Sequence, residues 1–343
     1  MATSANTNTY GDLTPRSAAY ASAMLLARGQ HDMVIERFAM SKPMPQGKTK
    51  TAKFRRYESL PRATAPLAEG IPPAGRQLAF TDVEASLEQY GDIVWLTDAV
   101  KLFHEDAIFQ DTFKNCGEQA AETLEVIRFA VAKSGTNAFY ADEAGSRGNV
   151  DSPPILSDFR RIERAFKRNK GRAITEIISP SQLVSTEPVD ASYVVLGHTD
   201  LKPDIENIDG FKPRIEYSQQ RSLHPAEIGA VGSFRFVLTA LFESWEQVGK
   251  AGTAYLSGGE KVSVAAAADV YPMIIMARDS FATIALKGEN AVNVALVNPG
   301  QKTVANPLGQ LGFVSWETWQ TAIILNHLWL ARLEVGCTAT PSF

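Results

Sequence analysis

TAKFRRYESLPRATAPLAEGIPPAGRQLAFTDVEASLEQYGD, residues 51–92, reads as two strand-like arms around a long break. The first arm holds Ala52, Phe54 and Tyr57. The second alternates Val83, Ala85 and Leu87 with polar residues, the period-two pattern of a half-buried strand. Between them, Pro61 to Gly75 contains four prolines and two glycines, too long for a tight hairpin turn. Structureless loops of this length are uncommon in compact domains and usually serve a purpose. Residues 49–97 are therefore expected to form a long hairpin with an extended, mobile tip.

On the C-terminal side, residues 105–134 carry the clearest helical pattern. Ala120, Leu124, Ile127 and Val131 fall at i, i+4, i+7 and i+11, which places them on one face, and Gly135 supplies a stop. Gly117 is a candidate break. A second helix is expected over 156–170, with Phe159, Ile162 and Phe166 inward and Arg160, Arg161, Arg164, Lys167 and Arg168 on its other faces. Residues 211–310 alternate short strands with Gly and Pro breaks, and 313–335 are strand-like. On the N-terminal side, residues 1–15 are small and polar, and Pro15 to Phe38 is helix-like but interrupted at Gly29.

With 343 residues, 45% hydrophobic and 21% charged, the chain is long enough to bury a sizeable core. Its net charge of −4 argues against a dedicated nucleic-acid binder, whose affinity comes from neutralising phosphates. Two distant cysteines, Cys116 and Cys337, make neither a disulfide scaffold nor a structural zinc site. No apolar run is long enough for a membrane helix, and Met1 to Asp12 lacks the features of a signal peptide.

The catalytic motifs fail in turn. Gly47-Lys48-Thr49 lacks the first glycine of a phosphate loop, because position 42 is Lys42. His104-Glu105 lacks the second histidine of a zinc protease, because position 108 is Ile108. The cluster His104, Glu105 and Asp106 fits an acidic helix start better than an acid–base site. His198 and Asp200 follow a strand, where a helix cap by Thr199 or Asp200 accounts for them.

Charge is distributed unevenly. Lys42 to Arg76 holds eight basic residues against two acids, a net +6, whereas Val100 to Glu125 carries a net −4. The basic hairpin, with Phe54 and Tyr57 available for stacking, suits either a nucleic acid or an acidic surface on another copy of the chain. A contact between unlike surfaces of identical copies closes into rings or continues as a lattice.

Several short motifs give a more specific lead. They are Thr9-Tyr10-Gly11-Asp12, Phe54-Arg55-Arg56-Tyr57, Leu67-Ala68-Glu69-Gly70 and Leu87-Glu88-Gln89-Tyr90-Gly91-Asp92. Glu118-Gln119-Ala120-Ala121, Asp269-Val270-Tyr271-Pro272, Val297-Asn298-Pro299-Gly300, Pro307-Leu308-Gly309-Gln310 and Trp316-Glu317-Thr318 follow. In this order, from about residue 9 to residue 335, they resemble a podophage-type family of tailed-phage major capsid proteins. The resemblance implies the α+β Hong-Kong-ninety-seven capsid fold. Its parts would be an N-terminal arm (1–48), an extended loop (49–97), a peripheral domain (98–151 and 306–343) with a spine helix at 105–134, and an axial domain (152–305).

The resemblance also implies a virion shell of hexamers and pentamers, assembled in the bacterial host cytoplasm. The shell would enclose double-stranded DNA without sequence-specific binding, and no catalytic residue, metal, cofactor or membrane is involved. The chain lacks the long helical N-terminal extension of some members, so a separate scaffolding protein, or none, is implied, with portal and decoration proteins as further partners. In such a fold the extended loop lies over the neighbouring peripheral domain, near its spine helix. That sets Lys53, Arg55, Arg56 and Arg62 against Glu118, Glu122 and Glu125 of the next subunit. Three other readings stay open: an encapsulin-like nanocompartment of the same fold with protein cargo, a hydrolase using His104, Glu105 and Asp106, and a soluble nucleic-acid binder using the basic hairpin.

Overall fold

A computed structural model describes residues 33–45, 49–58, 60–64, 66, 75–99, 108–178, 186–216, 222–251, 256–257, 260–261, 267–287, 292–300, 302 and 306–339. Along the chain come α1 (Ile35–Phe38), β1 (Met40–Ser41), β2 (Met44–Pro45), β3 (Thr51–Tyr57), β4 (Phe80–Ser86), β5 (Glu88–Thr97) and α2 (Ile108–Lys133). Then follow β6 (Ala138–Tyr140), α3 (Leu156–Arg168), β7 (Ile174–Ile178), β8 (Thr186–His198), α4 (Lys202–Glu206), β9 (Phe211–Pro213), β10 (Glu227–Val231) and β11 (Phe234–Thr239). The last strands are β12 (Leu256–Ser257), β13 (Glu260–Lys261), β14 (Val270–Met276), β15 (Phe281–Lys287), β16 (Asn293–Val297), β17 (Leu311–Ile324) and β18 (Leu330–Gly336).

One sheet has the order β6-β18-β14-β8-β11-β10-β9, with β7 added on β8. Its central strands are apolar at both parities, as strands covered on two faces must be. Tyr193, Val195, Phe236 and Ile275 pack under α3, whose Phe159, Ile162 and Phe166 are fully buried at i, i+3 and i+7. Val194, Leu196, Val237 and Ile274 face the other way. They meet Val34, Ile35 and Phe38, together with Phe129 and Ala132 near the end of α2.

A second sheet joins β1, β15, β17 and β16, with β2 on β15 and β5 on β17. Strand β17 spans 14 residues, about 46 Å. Every second side chain of its first half turns toward α2, so Val314 and Trp316 bury against Phe113, Cys116 and Ala120. The strands at 281–297 belong to this sheet, while β14 before them and β18 after β17 belong to the first, so the chain passes from one sheet to the other after Met276 and back again after Ile324.

Helix α2 runs unbroken through Gly117 for 26 residues, about 39 Å. It serves two cores in succession, so its buried stripe rotates: Ala120 and Leu124 are buried as expected, but Ile127 and Val131 are only half-buried. Phe129 and Ala132 take the inward places instead. Gly135 ends the helix where a Cβ would lie 2.9 Å from Leu330.

The hairpin expected over 49–97 is formed by β3 and β4 alone, paired from Thr51↔Ser86 to Tyr57↔Phe80 as a separate two-stranded sheet. Strand β5 departs from it to pair antiparallel with β17, from Glu88↔Gln320 to Thr97↔Leu311.

Candidate intersubunit interface

The basic arm does not present the free charges its sequence promises. Lys53 pairs with Glu84 at 2.5 Å, and Arg55 donates two hydrogen bonds to Asp82 at 2.8 and 2.9 Å. The bond from Arg55 holds the Asp82 carboxyl below its usual range, and Glu84 raises the Lys53 ammonium. Arg55 also stacks its guanidinium over Phe80, 4.2 Å from the ring centre. These residues share one face of the hairpin, where the β3–β4 ladder closes on the cross-strand pair Tyr57 and Phe80, 60% and 51% exposed, and most of the tip expected over Pro61 to Gly75 lies outside the described residues. Leu60 and Leu78 extend that apolar pair. The opposite face, with Ala52, Phe54 and Ala85, packs on Ile284, Leu286, Trp319 and Ile323. Arg56 reaches toward the Leu325 carbonyl, and Arg62 is exposed.

On α2, Glu122 is exposed, Glu118 half-buried and Glu125 fully buried. Glu125 is therefore not a contact residue for another subunit. Its Oε1 accepts from the Val34 and Ile35 amides at 3.0 and 2.8 Å, which caps α1. Its Oε2 is buried without a hydrogen-bond partner, and burial pushes the carboxyl up to about 7. The neighbouring Arg128 bridges Glu36 (2.8 Å) and Gln320 (3.0 Å). Glu125 and Arg128 thus fasten the chain at 33–36 to α2 and β17. Of the seven residues predicted to meet between subunits, Lys53 and Arg55 are neutralised within their own hairpin and Glu125 is internal.

Several of the short motifs do converge. Gln119 donates to Asp92 at 2.6 Å and accepts from the Trp316 indole at 3.2 Å, tying α2 to β5 and β17. Gly91 lies opposite Glu317, where a Cβ would stand 2.5 Å from the Trp316 carbonyl oxygen. Only a glycine allows β5 to approach so closely.

The surface that the sequence reading missed is the outer face of this same sheet, turned away from α2. Trp95 (59% exposed), Ile93 (40%) and Leu311 flank Phe313, with Trp95 and Phe313 edge to face at 5.5 Å. Beside them a shallow groove of about 570 Å³ runs along Ile93, Ala295, Ser315 and Glu317. An antiparallel sheet with one solvated face normally keeps that face polar. The signal was present: β5 is apolar at both parities, with Val94 and Leu96 inward and Ile93 and Trp95 outward.

Among the described residues, the enzyme-like groups offer no site. His104, Glu105 and Asp106 lie outside the described residues, as do Gly47 and Lys48. The His198 Nδ1 accepts from the Asp200 amide at 3.1 Å, so His198 itself is the cap, in place of Thr199 or Asp200. The Asp200 carboxylate is taken by the Tyr271 hydroxyl at 2.9 Å. Burial raises both cysteine thiols, away from the thiolate form a nucleophile needs. Among the described residues, no His/Cys/Asp/Glu group is arranged to hold a metal.

No family model matches the chain. It is 21% identical over 275 residues to the major capsid protein of Pseudomonas phage KPP21, covering 74% of this chain and 67% of that one. Among solved structures, the capsid of Ralstonia phage GP4 superposes with a TM-score of 0.64 at 10% identity, over 90% of this chain and 92% of that one. The holo-SrpI encapsulin complex of Synechococcus elongatus gives 0.51 at 9% identity, over 100% and 95%. The chain therefore has the Hong-Kong-ninety-seven capsid fold.

Proposed function

We infer that this chain is the major capsid protein of a tailed phage, a self-assembling shell subunit of the virion and not an enzyme. The observation that carries this is its relative from phage KPP21, a major capsid protein aligned over 275 residues, taken with a fold shared over about nine-tenths of a phage capsid chain. The podophage-type resemblance of the short motifs narrows the family further, and the convergence of Gly91, Asp92, Gln119 and Trp316 supports it.

On this reading the long sheet and α2 belong to a peripheral domain and the eight-stranded sheet to an axial domain, a division that moves β15 and β16 out of the axial span 152–305 and brings β6 and β18 in from the peripheral one, and β3–β4 is the extended loop that lies on the next subunit. Copies assemble into hexamers and pentamers around double-stranded DNA. Scaffolding, portal and decoration proteins are the further partners. The encapsulin reading shares the fold and differs in cargo. Expression of the chain, alone or together with its scaffolding protein, should yield closed icosahedral particles by electron microscopy; a protein that stays monomeric at assembly concentrations in both cases would contradict the reading. Nuclease-protected DNA in particles from the host separates the phage shell from a compartment filled with protein.

A further inference from the structure

We propose that the outer ridge of α3, formed by Arg160, Arg164 and Arg168, is a contact for the phosphate backbone of double-stranded DNA, made without regard to sequence. The proposal deepens the shell reading above, which supplies the DNA, and names a surface that meets it.

Three observations carry it. First, these charges have no counterpart in their own chain. Other exposed cations are matched at home: Lys53 by Glu84, Arg55 by Asp82, Lys202 by Glu206 and Lys250 by Asp151. Arg160, Arg164 and Arg168 are exposed, and among the described residues none of them pairs with a carboxylate. Glu163, the one acid beside them in a shallow trough of about 420 Å³, is held by Lys167 at 2.6 Å and by the Ser233 hydroxyl at 3.0 Å.

Second, the ridge is straight and rigidly mounted. Positions i, i+4 and i+8 lie on one face of a helix, each step advancing about 6 Å along the axis. The opposite face, with Phe159, Ile162 and Phe166, is fully buried against the eight-stranded sheet. Beyond the helix the row continues with Lys170 and Arg172, both exposed. A line of cations suits a linear polyanion, whereas a small anion is held from several sides at once.

Third, helix stability does not account for the pattern. Like charges four residues apart repel and weaken a helix. The helix dipole favours Lys167 and Arg168 in the last turn, but it opposes Arg160 in the N-terminal half. Arg161, on the same helix, shows what a structural arginine does here: it donates to the Tyr140 carbonyl at 2.6 Å and to Asp158 at 3.3 Å. The ridge thus costs the fold something and gains nothing inside the chain. On a subunit of net charge −4, so few phosphate contacts give a loose, salt-sensitive hold.

Binding of the full-length, unassembled subunit to a mixed-sequence DNA duplex, followed by fluorescence anisotropy over a salt series, tests the ridge. The wild type should bind, with affinity falling as salt rises. Arg160→Gln, Arg164→Gln and Arg168→Gln combined should weaken binding roughly tenfold or more at low salt. They should also flatten the slope of log affinity against log salt by about three, one for each lost phosphate contact. The same three positions changed to Lys should keep the slope, because neutralising phosphate needs only the charge. Arg56→Gln with Arg62→Gln, in the hairpin, should leave it unchanged. The Gln triple variant should melt no lower than the wild type, since it removes repulsion. A wild type that does not bind DNA, a Gln triple variant with the wild-type slope, or a Lys variant that loses it overturns the proposal. So does a loss that appears in the hairpin variant instead. Polyglutamate that displaces the duplex at equal charge concentration would assign the ridge to an acidic protein and overturn it too. The shell reading is decided separately, by whether particles form.

Discussion

The two large sheets of this protein solve the same problem differently. The eight-stranded sheet is roofed on both faces by its own chain: α3 covers one side, and α1 with the end of α2 covers the other. The β5–β17–β16 region is covered by α2 on one side only, and its outer side ends in Trp95, Ile93 and Phe313. The first is a core complete within the subunit. The second is covered on one face only, and its outer face leaves Trp95 and Ile93 exposed. On the proposed shell function, this division lets folding depend on one region and association on the other.

The division predicts where substitutions act. Phe236→Ala, at a fully buried position under α3, should cost about 3–5 kcal/mol of subunit stability, read by urea unfolding. A loss below about 1 kcal/mol would mean that the first core is not closed.

Glu125→Gln tests the clasp that seats 33–36 on α2. The folded carboxyl sits at about 7, above its ordinary 4.5. Its protonation therefore adds stability that is fully present below pH 4.5 and lost as pH rises through 7, on the order of 3 kcal/mol in all. Arg128 and Glu36 face it throughout. The Gln variant should flatten the stability profile between pH 5 and 8 (measured by thermal melts), and an unchanged slope would assign that slope to other groups.

Gly91→Ala should cost roughly 1–3 kcal/mol by forcing β5 off the Trp316 carbonyl, seen as earlier unfolding of the second sheet by hydrogen exchange. The smallest effect on the subunit is expected at Trp95. Replacing it by Ala should move unassembled stability by no more than about 0.5 kcal/mol, because the ring is largely in water. A larger loss would show that the outer face already supports the fold in the monomer.

Elements fixed by local periodicity were legible in the sequence. Phe159, Ile162 and Phe166 announce α3, and Val83, Ala85 and Leu87 announce β4. What depends on distant pairing was not. Strand β5 looks like part of the hairpin until β17, more than 200 residues on, claims it. Glu125 reads as one more acid on a solvated helix, because the amides that bury it belong to Val34 and Ile35, about 90 residues earlier. The cis pairing of Lys53 and Arg55 was in principle visible. Glu84 and Asp82 stand at matching alternate positions on the returning arm, but a charge count that stops at Arg76 leaves both out. The fold as a whole emerged from ordered short motifs, several of which meet at Gln119.

Hydrogen–deuterium exchange on the unassembled subunit and on the assembled particle tests the central contrast most directly. Amides of β3, β4 and the 93–97 and 311–315 segments should gain protection on assembly, while those of Val194 to Leu196 and Val270 to Met276 stay as slow as they already are. Equal exchange at the hairpin and outer sheet in both states, or new protection confined to the eight-stranded core, would contradict the account.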